Sequence, residues 1–149
     1  MEHTKFMKLA ISQANKAKKN GDVPVGCIII KNNRVIAKAY NKKEKCQNAL
    51  YHAELLAISQ ASKKIKNFRL NECVLYVTKE PCLMCMGAIL SARIPLIVFG
   101  SYDKKFGNIN LCHQNNFNHK CEFVGGVLEE ENNNLLTSFF KNIREKNNK

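Results

Sequence analysis

The spacing of apolar positions changes along the chain, and the changes mark out helices and strands. Between residues 5 and 19, Phe6, Leu9, Ala10, Gln13, Ala14 and Ala17 recur at three- and four-residue spacing. That is the period of a helix with one buried face, and Gly21 ends it. Two β-branched, apolar runs follow, Val25 to Ile30 and Arg34 to Tyr40. Lys31-Asn32-Asn33 joins them, and asparagine tolerates the positive φ of a tight hairpin. Residues 41–51 are polar and loop-like. Helical spacing resumes at His52 with Ala53, Leu55, Leu56, Ile58 and Ala61.

A third strand, Cys73 to Thr78, runs into Lys79-Glu80-Pro81. Proline suits a first helical turn, so a helix is expected to open at Pro81 or Cys82 and to reach about Ala92. Pro95 to Gly100 reads as a fourth strand. Strand, helix and strand at this spacing form a βαβ unit, which requires the two strands to be parallel. Residues 101–120 read as an asparagine-rich loop, followed by a short strand at 121–125. A last helix at 129–144 has an acidic start and a basic end, as the helix dipole favours. The expected class is α/β, with a mixed sheet covered by helices in one domain over 1–149.

Composition narrows the picture further. A chain of 149 residues can bury a single core. No apolar run reaches the ~18 residues of a membrane span, and the N-terminus lacks a secretory pattern, so a cytoplasmic location is expected. The seven cysteines are an odd number. In a chain without an export signal this argues against a disulfide framework and for a reducing compartment. Cys27, Cys46, Cys73 and Cys112 stand singly and read as small packing or loop residues. The net charge of +12 draws the protein to polyanions, nucleic acid before membrane. Lysine outnumbers arginine 20 to 4 and there are 19 asparagines. A-rich codon usage produces the same bias, so charge alone does not decide the partner.

The chemistry resides in two short pieces, His52-Ala53-Glu54 and Pro81-Cys82-Leu83-Met84-Cys85, with 29 residues between His52 and Cys82. Cys82 and Cys85 are three apart, so at a helix start both sulfurs face one side. The unpaired amides and positive dipole end there favour thiolates. His52 supplies a nitrogen ligand from a second helix. Three protein ligands leave a fourth tetrahedral position open, the mark of a catalytic zinc. Glu54 lies about 200° around the helix from His52 and is free to exchange protons with a water at that position. The combination H-x-E with P-C-x-x-C is the recognised signature of zinc nucleobase deaminases. A C-x-x-C alone would equally serve structural zinc or redox chemistry.

At these residues the chain resembles the bacterial tRNA-specific adenosine deaminases of the cytidine/deoxycytidylate deaminase superfamily. The resemblance extends through Val23-Pro24-Val25-Gly26, Asn32 to Ile36, Asn41 and Thr78 to Cys85. It continues through Gly87-Ala88, Ser91 to Ile94, Val98-Phe99-Gly100, Asp103, Asn118-His119, Gly125 to Leu128 and Phe139-Phe140. It implies a five-stranded mixed sheet flanked by helices on both faces, a homodimer, and hydrolysis of adenosine to inosine at the wobble position of a tRNA anticodon. Zinc-bound hydroxide would attack C6 with Glu54 as proton shuttle. It also implies that Asn41 bonds the flipped base and that Asp103 contacts a neighbouring ribose. Phe139, Phe140, Lys141 and Arg144 would meet the anticodon stem-loop. The segment between Asp103 and Glu122 departs from the family, being shorter and rich in asparagine where glycine, alanine and serine are usual.

Two rivals share parts of this pattern. A deaminase of free bases or nucleosides has the same zinc site but no use for a basic, aromatic last helix. A zinc-stabilised RNA-binding module has no use for an open coordination position or for Glu54.

Overall fold

The computed structural model describes residues 2–114, 119 and 121–147. Helix α1 (His3–Lys19) precedes a hairpin of β1 (Gly26–Lys31) and β2 (Arg34–Tyr40); α2 (Ala53–Ile65), β3 (Cys73–Lys79), α3 (Leu83–Ser91) and β4 (Leu96–Ser101) follow. A 3-10 helix (Ile109–His113), β5 (Glu122–Val124) and α4 (Glu129–Asn147) complete the α/β domain. The hairpin turns on Asn32 and Asn33 at φ 52° and 62°, the left-handed conformation anticipated for that pair. Gly21, at φ 82°, follows the end of α1.

The sheet order is β2-β1-β3-β4-β5. Strand β1 pairs antiparallel with both β2 and β3, whereas β3–β4 and β4–β5 are parallel. The sheet is therefore mixed and five-stranded, as expected. Alternate residues of each strand feed two cores. On one face Cys27, Ile29, Leu75, Val77, Ile97 and Phe99 pack with Ala53, Ala57 and Ala61 of α2 and Met86, Ile89 and Leu90 of α3. On the other, Ile28, Ile30, Tyr76 and Val98 pack with Phe6, Met7 and Ala10 of α1. Helix α4 packs against β4, and Ser138 in it accepts a hydrogen bond from Lys18 of α1.

Two details differ from the sequence reading. The 3-10 helix lies inside the segment expected to be loop; its five residues carry too short a pattern for periodicity to reveal. Cys112, expected to stand alone, is disulfide-bonded to Cys121, with both buried and their Cα atoms 5.0 Å apart. The reason is local. Glu122 docks on the Pro95 carbonyl at the start of β4–β5 pairing, returning Cys121 beside the 3-10 helix.

The topology brings several strand ends to one edge of the sheet. Parallel β3 and β4 both finish there, at Lys79 and Ser101. Because β1 runs the opposite way, its beginning lies beside the end of β3, and the end of β2 beside that. Clefts outside the carboxyl ends of parallel strands are where α/β sheets place their ligands.

Candidate active site

Both metal-motif pieces sit at helix N-termini. His52 is the N-cap of α2 and Cys82 the N-cap of α3, each in extended conformation and neither capped by its own side chain. Glu54 and Cys85 fall in the first turns. The His52 Nδ1 lies 3.7 Å from the Cys82 Sγ and 3.6 Å from the Cys85 Sγ. Among the described residues these three form the one group of His, Cys, Asp or Glu side chains placed to hold a metal ion, with all donor atoms within 4.8 Å. Cys85 is fully buried; His52 and Cys82 are partly exposed, so the cluster is open on one side.

The electrostatics are those of two sulfurs and an imidazole crowded together. The hydrogen bond from Cys85, aided by His52, pulls the Cys82 thiol down to about 3. Cys85, which keeps the proton the two sulfurs share, is pushed up by that same bond and by burial. Its bond to Cys82 holds His52 above the usual imidazole range. Glu54 is only 4% exposed, and burial raises its carboxyl above the ordinary carboxylate range.

His52 and Cys82 of the cluster, with Glu54, line a cleft of about 440 Å³ together with Val23, Val25, Asn41, Lys43, Ala53, Lys79, Glu80, Asp103, Phe106 and Phe140. Asn41 follows β2; its Nδ2 donates to the Val23 carbonyl at 3.2 Å and its Oδ1 accepts from the Lys43 amide at 3.0 Å. One amide hydrogen and one lone pair of Asn41 remain for another partner. Asp103 follows β4. Its Oδ1 accepts the amides of Lys105 and Phe106, both at 3.1 Å, and its Oδ2 pairs with Lys79 Nζ at 3.1 Å. Partial burial pushes this carboxyl up, but the Phe106 amide, Lys79 and the Lys105 amide more than offset that and hold it below its ordinary value.

The two adjacent phenylalanines separate. Phe139 is buried, at 6% exposure, and does not line the cleft; it meets Phe140 edge-on at 5.4 Å. Phe140 is 42% exposed and does line it. Neighbours on a helix point about 100° apart, so one ring supports and the other is presented. Phe139 thus stands as a packing residue where an RNA contact was expected. Lys141 and Arg144 are exposed on α4, outside the cleft lining. His119 donates from Nε2 to the Ile94 carbonyl at 2.9 Å, which requires the Nε2–H tautomer; Asn118 lies outside the described residues.

Sequence reasoning assigned no role to Lys79, Glu80 or Phe106. Glu80 accepts the Asp103 amide on Oε1 at 3.0 Å and the Ile109 amide on Oε2 at 3.2 Å. It thereby fastens the segment after β4 to the segment before α3. Gly107 forms a bridge with Cys82, and a Cβ at Gly107 would overlap the Glu80 carboxylate and the Asp103 carbonyl. The available signal was positional: Lys79 and Asp103 stand at the ends of two strands already read as parallel.

A family model for MafB19-like deaminases matches residues 1–144. The tRNA-specific adenosine deaminase of Bacillus subtilis (strain 168) is 43% identical over 145 residues, 95% of this chain and 90% of that protein. The chain belongs to the tRNA-specific adenosine deaminase family. A solved deaminase from studies of A-to-I editing at the wobble position of transfer RNA is similar to this family member with a TM-score of 0.85. The two are 34% identical, over 89% of this chain and 99% of that one. A guanine deaminase from Bacillus subtilis is also 34% identical, with a lower TM-score of 0.65, over 68% of this chain and 66% of that one.

Proposed function

We propose that this deaminase hydrolyses adenosine to inosine at the wobble position of a tRNA anticodon, with His52, Cys82 and Cys85 holding zinc and Glu54 moving protons. The observation that carries the proposal is a three-donor metal cluster, open on one side, beside a buried carboxylate at the floor of a cleft rimmed by lysines and aromatic rings.

The donor set fits zinc. Zn–S bonds of ~2.3 Å and Zn–N bonds of ~2.0 Å in a tetrahedron set N···S edges of about 3.5 Å. The observed edges are 3.7 and 3.6 Å. When bound, zinc supplies Lewis-acid activation of a water, lowering its pKa towards ~7. Glu54 takes a proton from the attacking water and delivers protons to the ring nitrogen and to the departing ammonia; water enters at C6 and ammonia leaves. A buried carboxylate with a raised affinity for protons suits both halves of that transfer. Val23, Val25 and Ala53 line an apolar slot for the base, and the spare hydrogen and lone pair of Asn41 face its polar edge. Asp103 exchanges Lys79 for a neighbouring ribose hydroxyl, which frees Lys79 for phosphate. Lys141 and Arg144 contact the backbone of the stem-loop.

The family likeness supports a cytoplasmic enzyme; among the described residues no helix is long and apolar enough to cross a membrane. Exposed Leu50 and Leu83, at 59% and 62%, support the homodimer, which sedimentation of the purified protein tests.

The likeness to guanine deaminase makes a free base the rival substrate. Phe106 and Phe140 at the rim serve no purpose for a ligand that fits wholly within the slot. Purified enzyme is offered total tRNA, adenosine, guanine and cytosine, and inosine and ammonia are measured. Inosine formed in tRNA alone is expected; turnover of a free base or nucleoside with none on tRNA refutes the proposal.

A further inference from the structure

We propose that Phe106 is a stacking platform for a base flanking the flipped adenosine, and so a determinant of which anticodon loops this enzyme accepts. The inference rests on the tRNA reading above and adds a binding residue from the loop where this chain departs from its family.

Phe106 is 60% exposed, belongs to neither apolar core, and yet lines the cleft that has His52, Glu54 and Cys82 at its floor. An exposed phenylalanine alone is common. The backbone that carries this one is held in place. Its amide donates to Asp103 Oδ1 at 3.1 Å, and the Gly107 amide donates to the Asp103 carbonyl at 2.9 Å. Asp103 is tied to Lys79, and Glu80 clamps the turn from both ends through the Asp103 and Ile109 amides. Gly107 then bridges to Cys82, so the ring is carried on a turn joined directly to the metal-binding helix start. A ring on a tied backbone has only its side-chain torsions left to lose when a base settles on it.

Charge identifies the occupant. Lys104 and Lys105 adjoin Phe106, and the Lys105 ammonium sits 5.3 Å from its ring centroid. Lys43 lines the same cleft. Of its acidic rim groups, Asp103 is neutralised by Lys79 and Glu80 is occupied by amides. Flat apolar rings among cations match a polyanion whose unstacked bases expose π faces, which is single-stranded RNA. Phe140 lines the same cleft from α4, so a chain threading the mouth meets an aromatic contributed by each of two separate segments.

The test is steady-state deamination of a synthetic anticodon stem-loop carrying one adenosine at the wobble position, by wild type and by Phe106→Ala, Phe106→Leu and Phe106→Tyr. Loss of one base stack, ~1–3 kcal/mol, corresponds to an effect of about five- to 160-fold. We expect KM to rise about tenfold for the alanine and leucine variants and to stay within threefold of wild type for tyrosine. The chain contains no tryptophan, so Phe106→Trp adds a single indole reporter. Its emission should be quenched on titration with the stem-loop, with a midpoint matching KM. Leucine that performs as well as phenylalanine, or an indole left unquenched by saturating RNA, overturns the stacking role. Wild-type turnover with KM unmoved in the alanine variant overturns this proposal alone. A wild-type enzyme inert on every stem-loop overturns the tRNA reading and this proposal with it.

Discussion

Replacing Glu80 with glutamine asks how much one carboxylate contributes to the wall of the site. In the native protein its two oxygens each accept one backbone amide, from Asp103 at 3.0 Å and Ile109 at 3.2 Å. Glutamine keeps the shape and one acceptor but turns an NH₂ group towards the second amide, setting donor against donor. A hydrogen bond to a charged group is worth ~1.5–3 kcal/mol, and the amide left without its acceptor adds to the loss. Glu80 is only half-buried, so water recovers part of it. We take the lower end, about 1.5 kcal/mol. For a domain of this size each kcal/mol moves Tm by roughly 2–4 °C, so Glu80→Gln should melt about 4 °C lower. Urea denaturation should give a similar loss of stability at unchanged m-value. The turn loosens at the end nearer the RNA, so KM for a stem-loop should rise while zinc content stays at one per chain. Gly107→Ala attacks the same clamp from the other side, because its Cβ overlaps the Glu80 carboxylate. A Tm within about 1 °C of wild type, together with unchanged KM, would refute the clamp.

Cys82→Ala and Cys85→Ala should each lose bound zinc, read by elemental analysis after gel filtration; X-ray absorption showing four sulfur ligands in wild type would contradict the assignment, since no position would remain for water. Glu54→Gln should keep zinc and stem-loop affinity while turnover falls by about 10²–10⁴, the usual contribution of a proton-transferring group; a tenth of normal activity remaining would mean that another residue moves the protons. The double variant Lys141→Glu/Arg144→Glu should melt as wild type, because both side chains are exposed, yet bind tRNA weakly, with a salt slope reduced by about 1.4–2; an unchanged slope moves the backbone contacts elsewhere. The Asp103 carboxyl is held below its ordinary range, so it releases its proton more readily in the folded than in the unfolded chain. Its stabilisation is therefore full above the unfolded value of ~3.9 and lost as pH falls through the folded value. The Tm difference between wild type and Asp103→Asn should shrink between pH 6 and pH 3, and a constant difference would contradict the shift.

What the sequence made legible follows from the range of the interactions involved. Helix and strand periods are local, and they located α1, the β1–β2 hairpin, α2, β3, α3, β4 and α4 to within a few residues. The metal site was legible for a related reason. Cys82 and Cys85 are joined by one helical turn, and only the His52 distance required the fold. Phe106 could not be recognised because its role depends on three long-range ties, to Glu80, Lys79 and Cys82, that leave no periodic trace. Of Phe139 and Phe140 only one ring lines the cleft, and their adjacency in the sequence does not say which. That choice follows from which face of α4 is buried when it packs against β4. The Cys112–Cys121 bond escaped because counting cysteines tests for a framework, whereas a single pair needs only two chain segments that return to one place.

The site divides its work between short and long range. Within the cleft Lys43 and Lys79 are set against Glu54, Glu80 and Asp103, so a stem-loop is not drawn in by the cleft lining alone. The attraction must come from the wider field of a chain with net charge +12, including Lys104, Lys105, Lys141 and Arg144 outside the slot. Such attraction is indifferent to sequence and weakens steeply with salt. In the proposed reading, base choice then falls to groups within the cleft: the Asn41 amide, whose orientation is set by Val23 and Lys43, and the rings of Phe106 and Phe140. Phosphate contacts position a nucleic acid and base contacts specify it. Raising salt should therefore lower the affinity for all anticodon loops together while leaving their order of preference intact, whereas changes at Asn41 or Phe106 should reorder that preference at constant salt.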